Sequence, residues 1–278
     1  MPSRLMIPFL VCAALALPAC RQAAKPEPVP LKLETRRFER LLPGCGDQAK
    51  REEPCVTFRV EWPEVVEAKP GEARSRINTA ILSRLQPAEA PRGFEAEAAQ
   101  FIRDYEEFRG QFPDSSINYF TRRVAEVLLL TPKLLSVEIR EEGFTGGAHP
   151  YSARQYLNLA PATGEAVELA ALVRGGGMER LAVLAERHFR AERGLAAAQD
   201  LAEAGFTFDN NRFVLPPRWG ASAKGLVFYF NEDEIAPHNL GPTAIVVPWS
   251  ELGELLRKDS GLPPASPKSV IPSGRGGV

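Results

Sequence analysis

Apolar and polar positions alternate from Val56 to Trp62: Val56, Phe58, Val60 and Trp62 are apolar, Thr57, Arg59 and Glu61 polar. A period of two predicts a strand with one buried face. The stretch Leu31 to Leu42 predicts an extended partner, joined to it by a polar, turn-rich run. The period then lengthens. Ile77, Ile81, Leu82 and Leu85 share one helical face ahead of Pro87. Phe94, Ala98, Phe101, Ile102, Tyr105, Phe108 and Phe112 mark a longer amphipathic helix that stops before Pro113. Glu95, Glu97, Asp104, Glu106 and Glu107 lie on its other side and read as a solvated face. Alternation returns over Ile117 to Leu130 and Leu134 to Phe144, broken at Thr131-Pro132 as in a hairpin. A further strand covers Ser152 to Leu159. Met178, Leu181, Ala182, Ala185, His188 and Phe189 resume helical spacing, and two late strands, Leu226–Phe230 and Ala244–Trp249, flank a loop that contains Asn231 to Pro242. Strand pairs interleaved with helices, without strict βα alternation, predict an α+β fold with helices packed on antiparallel sheet.

The two ends carry no such periodicity. Arg4, the apolar run Leu5 to Leu17 and the close Leu17-Pro18-Ala19-Cys20 have the layout of a secretory signal peptide, too short for a permanent membrane span. Small residues before a cysteine resemble a lipobox, which makes Cys20 the expected lipidation site; the other reading is plain cleavage after Ala19. With Arg21 rather than Asp after Cys20, lipoprotein sorting points to the outer membrane, facing the periplasm. The expected organisation is therefore a signal peptide at 1–19, a lipidated, Pro-rich tether at 20–30, α+β segments at 31–130 and 131–258, and a disordered tail at 259–278.

Composition narrows the function class. The 278 residues hold 34 Lys and Arg against 35 Asp and Glu, with 44% hydrophobic and 25% charged residues. Those values exclude a polytopic membrane protein, a disordered polymer and a polybasic nucleic-acid binder. Of four cysteines, Cys12 leaves with the leader and Cys20 carries lipid, so Cys45 and Cys55 remain as an even pair. In an oxidising compartment they are expected to form a disulfide that stabilises the fold by about 2–3 kcal/mol.

Enzymatic motifs are absent: there is no G-x-S-x-G elbow, no H-E-x-x-H, no P-loop and no G-x-G-x-x-G. Gly175-Gly176-Gly177 reads as a lead-in to a helix. Of three histidines, His188 falls on an apolar helix face. His149 and His238 sit in Gly- and Pro-rich loops, Thr145-Gly146-Gly147-Ala148-His149-Pro150-Tyr151 and Ile235-Ala236-Pro237-His238-Asn239-Leu240-Gly241-Pro242. A zinc site there would need a third ligand such as Glu232, Asp233 or Glu234, and a Ser152–His149 nucleophile lacks a marked orienting carboxylate. No metal or cofactor is expected. His149, Tyr151, Ser152, His238 and Asn239 are the ligand-binding candidates, on the expectation that the two loops lie side by side at one sheet edge. The bland alternative is that these residues only turn the chain.

These blocks carry a resemblance. Phe144-Thr145-Gly146-Gly147-Ala148-His149, Tyr156-Leu157-Asn158-Leu159, Thr163-Gly164-Glu165 and the Val167–Val173 stretch, followed later by Phe228-Tyr229-Phe230-Asn231, Ile235-Ala236-Pro237, Gly241-Pro242 and Val247-Pro248-Trp249-Ser250-Glu251-Leu252, resemble the extracytoplasmic domain of RsiV-type anti-sigma factors. The same domain type precedes the catalytic domain of PdaC-type peptidoglycan deacetylases. The resemblance spans roughly residues 31 to 256. It implies an α+β domain outside the cytoplasm without catalysis of its own, and in the RsiV group such a domain binds lysozyme. The sigma-binding segment, transmembrane helix and deacetylase domain of those relatives have no counterpart in the sequence, so binding is the property expected to persist. The expected function is thus a non-enzymatic envelope lipoprotein that binds a protein or cell-wall ligand, with lysozyme a candidate. The rival is a hydrolase acting through the His149 and His238 loops.

Overall fold

The computed structural model describes residues 31–42, 45, 55–69 and 71–263; the signal peptide, Cys20 and the tether fall outside them. Strands β1 (Leu31–Leu41) and β2 (Val56–Ala68) form the expected antiparallel hairpin, with Phe38 opposite Val60. A Cys45–Cys55 disulfide, with Cα atoms 5.5 Å apart, staples it beyond the strand ends. The alternation has its physical counterpart in Val56, Phe58 and Val60, all essentially inaccessible to solvent. Helices α1 (Glu72–Leu85) and α2 (Phe94–Gln111) then carry the chain to β3 (Tyr119–Leu130). That strand pairs with β2 in parallel, Val56 meeting Tyr119, so the antiparallel expectation fails at this one seam. A parallel pair needs a long crossover, and the two helices supply it. Strands β4 (Leu135–Phe144) and β5 (Tyr151–Leu159) follow antiparallel and complete a five-stranded sheet in sequence order. At the β3–β4 turn the Thr131 hydroxyl accepts the backbone N–H groups of Lys133 and Leu134.

One face of this sheet is covered by α1 and α2. Ile77, Ile81 and Leu85 recur at helical spacing and are fully buried with Phe58, Val60, Val137 and Ile139. Leu82 departs from the expected stripe and is exposed, because it lies a turn-fraction away from the line through Ile77, Ile81 and Leu85. Asn78, from the same helix, accepts the Val65 N–H (2.8 Å) and donates to the Val65 carbonyl (3.0 Å). Glu97 overturns the solvated-face reading of α2. It is buried beneath the helix, where Arg123 of β3 donates to it at 2.5 Å and to Glu141 at 3.0 Å. Periodicity on α2 alone could not show this cation on the facing strand.

The opposite face, at β4 and β5, meets a second layer. After α3 (Leu169–Leu172) and α4 (Gly177–Glu192), the chain forms an antiparallel meander of β6 (Trp219–Ala221), β7 (Gly225–Phe230) and β8 (Thr243–Pro248), then α5 (Trp249–Leu252). Strand β6 has only three residues and no readable alternation. Leu181, Ala185 and Phe189 of α4 bury against this sheet, and Phe189 centres an aromatic cluster with Phe206, Phe208, Phe213 and Phe230. The layers are joined by polar side chains: Ser136 accepts the Ala221 N–H at 2.8 Å, and Asn158 donates to the Trp219 carbonyl at 2.7 Å. His188 pairs with Glu251 at 3.1 Å and fastens α4 to α5. The first sheet thus runs across position 130, where the sequence suggested a segment boundary, and Ser260 and Leu262, within the expected tail, are buried. Among the described residues no helix is long and apolar enough to cross a membrane.

Candidate functional site

The site is built on β5 and on the two loops that the sequence singled out. Gly146 takes a positive φ of 86° in the turn after β4, a conformation a β-carbon would disfavour, and the turn carries His149 beyond the sheet edge. The second loop leaves β7 at Asn231 and reaches His238 in a single 3-10 turn, His238–Leu240. The two rings meet. His149 stacks on His238 with centroids 4.0 Å apart and planes inclined by 24°.

Acidic groups surround the second ring. His238 Nδ1 lies 3.2 Å from Asp233 and 3.8 Å from Glu232. The Ser152 hydroxyl donates to the other oxygen of Glu232 at 3.1 Å, so β5 and the second loop are tied directly. Ser152 therefore faces a carboxylate rather than an imidazole, and no Ser–His pair is formed. His149 Nδ1 sits 3.1 Å from the Pro150 carbonyl. Asn239 is exposed next to His238. Tyr151 is the candidate that the structure sets apart. Neighbouring residues of a strand point to opposite faces, and its ring lies across Gly143 on the helix-covered side, away from Ser152.

Asn231 fixes the second loop. Its side-chain oxygen accepts the Arg154 N–H at 2.7 Å and its amide donates to the Arg154 carbonyl at 3.2 Å, imitating a neighbouring strand on the edge of β5. Glu234 accepts the Asn231 N–H and pairs with Arg218 at 2.7 Å. Beneath lies a charged hub. Glu138, buried on β4, accepts from Arg140 (2.6 Å), Arg154 (3.3 Å) and the Tyr156 hydroxyl (3.0 Å), while Arg154 stacks over the Tyr229 ring at 4.7 Å. Burial, then the neighbouring Glu138 charge, pushes the Tyr156 phenol far above its ordinary range and keeps it a donor. Asn231 closes the Phe228-Tyr229-Phe230-Asn231 block, but its role depends on β5 being an edge strand. Glu138, Arg154 and Tyr156 share one face at alternate positions, a signal visible only once the β4–β5 register is known.

Chemically, the arrangement offers hydrogen-bonding groups and a flat paired-ring surface on a rigid support. No Ser, Thr or Cys among the described residues bonds to either ring, and no group of three or more His, Cys, Asp or Glu side chains among them is placed to hold a metal.

Residues 49–152 match the family described as "Deacetylase PdaC", and residues 170–250 match DUF3298, described as a protein of unknown function. The stacked histidines thus come one from each matched stretch. A solved DUF3298-family member from Bacteroides fragilis is similar over 82% of this chain and 94% of its own, at 19% identity and a TM-score of 0.58. A DUF3298-family protein from Pseudomonas aeruginosa is similar over 82% and 95%, at 18% identity and a TM-score of 0.57. No curated protein matches the sequence at a significant level. The chain therefore carries a PdaC-like stretch followed by a DUF3298-like stretch, arranged in the fold of the solved DUF3298-family proteins.

Proposed function

We propose that the chain is a non-enzymatic envelope lipoprotein, anchored in the outer membrane through Cys20, whose periplasm-facing body binds a protein or cell-wall ligand. The observation that carries this reading is the convergence of two sequence-distant loops into one surface, with His149 stacked on His238 and Asn231 clamping the second loop to β5. Loops held rigid on a sheet spend little ordering entropy on recognition. The Cys45–Cys55 bond suits an oxidising compartment. Lysozyme enters as the first candidate through the RsiV resemblance, and cell-wall material through the resemblance to PdaC-type peptidoglycan deacetylases. Binding is favoured over hydrolysis because Ser152 bonds to Glu232 and to neither histidine, so the Ser–His pair that a hydrolase at these loops would use is not assembled.

Purified protein challenged separately with lysozyme and with peptidoglycan should retain one of them. His149→Ala and Asn239→Ala should each weaken that binding by about 1–2 kcal/mol while the melting temperature stays nearly unchanged. A lowered melting temperature with intact binding by the folded fraction would make the loops structural, and turnover of either substrate would reassign the surface to a hydrolase.

The anchoring half has its own check. Cys20→Ala should move the protein from the membrane fraction to the soluble fraction and abolish labelling by a palmitate analogue. Unchanged membrane retention would remove the lipoprotein reading and leave the binding reading standing.

A further inference from the structure

Strand β5 ends the five-stranded sheet, so one row of its backbone groups faces outward. The Asn231 clamp shows which row: Arg154 points its N–H and carbonyl away from β4. By the two-residue period, Ser152, Tyr156 and Asn158 do the same. At Asn158 the outward carbonyl is taken by the Val167 N–H at 2.8 Å. Tyr156 lies between these two plugs, and neither its N–H nor its carbonyl has a partner among the described residues.

Tyr156 lines a groove of about 580 Å³ whose walls also include Arg84, Ala166, Glu168 and Arg218. Its volume falls within the range of ligand sites. Two of the lining arginines are already paired, Arg154 with Glu138 and Arg218 with Glu234. Arg84, exposed on the last turn of α1, has no anionic partner among the described residues.

We propose that the open stretch of β5 at Tyr156 docks a short extended peptide that carries a carboxylate, pairing its backbone with Tyr156 and setting the carboxylate against Arg84. The donor and acceptor on one strand residue match one residue of an added strand. Length selects a short peptide: the plugs at Arg154 and Asn158 stand about 13 Å apart at strand rise, room for about three residues. The same plugs stop the sheet of a second copy from continuing across this edge. The proposal concerns a surface separate from the paired histidines and stands whether or not those bind.

Amide hydrogen exchange reads the contact directly. In the free protein the Tyr156 amide should exchange fast while Gln155 and Leu157, bonded to β4, are protected. The probe is a set of acetylated, amidated hexapeptide pools with Asp or Glu fixed at each position in turn, at about 1 mM, near the floor for a specific contact. At least one pool should slow exchange at Tyr156 about tenfold or more and leave Ser152 unaffected. Arg84→Glu should weaken that pool about tenfold. Ala166→Trp, filling the groove from an exposed position, should abolish the protection without lowering the melting temperature, and His149→Ala should change nothing. The proposal is overturned if Tyr156 is already protected in the free protein, if no pool slows it, or if protection survives in both groove variants. It is equally overturned if protection appears only on self-association, or only with glycan fragments that lack peptide.

Discussion

Gly225→Ala should cost about 3 kcal/mol of stability, at the upper end of overpacking effects. A β-carbon at Gly225, where β7 starts, would lie 2.0 Å from the Val247 carbonyl oxygen and 2.7 Å from its carbonyl carbon. Both are backbone atoms of the adjacent strand, so no side-chain rotation relieves the clash. The two strands must part where Gly225 faces Pro248. Urea denaturation should show a lower midpoint with the slope unchanged. Gly253→Ala is the control: its β-carbon meets nothing within 4 Å, its backbone is helical, and its midpoint should hold or rise. Equal midpoints for the two variants would show that β7 and β8 tolerate separation.

Arg123→Ala should be the most damaging substitution of the group, at about 3–5 kcal/mol. The guanidinium lies between Glu97 and Glu141, donates to the Leu85 carbonyl at 3.1 Å and stands over the Phe58 ring at 5.6 Å. Burial works against its charge, but the bond to Glu97 and the nearby Glu141 more than offset it, and its pKa is held above the usual guanidinium value. Truncation leaves the Glu97 carboxylate buried without a cation, whereas Glu141 retains access to water. The double variant Arg123→Met with Glu97→Leu removes both buried charges and should recover most of the loss. If the double variant is as unstable as the single one, the cost comes from packing around Phe58 and not from the orphaned charge.

Much of the fold was legible because one element buries one face. The alternation at Val56–Trp62 and the helical spacing of Ile77, Ile81 and Leu85 each report a local environment, and both elements lie where those periods put them. Relations between elements were less accessible. Nothing in β2 or β3 separately shows that they run parallel, and the acidic residues of α2 look alike until Arg123 draws Glu97 inward. The site divides the same way. Glycine, proline and histidine marked both loops, and the structure brings His149, Ser152, His238 and Asn239 to one side of β5. Tyr151 stands one step along the strand period from Ser152, and that step, invisible in a loop-level reading, sends its ring to the other face. The Asn231 clamp and the open position at Tyr156 exist only because β5 is an edge, a property of strand order rather than of composition.

The parallel seam between β2 and β3 also sets the tempo of assembly. The β1–β2 hairpin and the β3–β4–β5 meander each close through nearby residues, but the seam must join Val56 to Tyr119 across the whole of α1 and α2. Closing so long a loop is unrewarded until the distant strand arrives, and such pairings slow folding. A nascent chain emerging N-terminus first carries β2 with one bare flank until β3 has been synthesised. During that interval the strand is open to capture by other chains, so yield on expression depends on how quickly the meander reaches it.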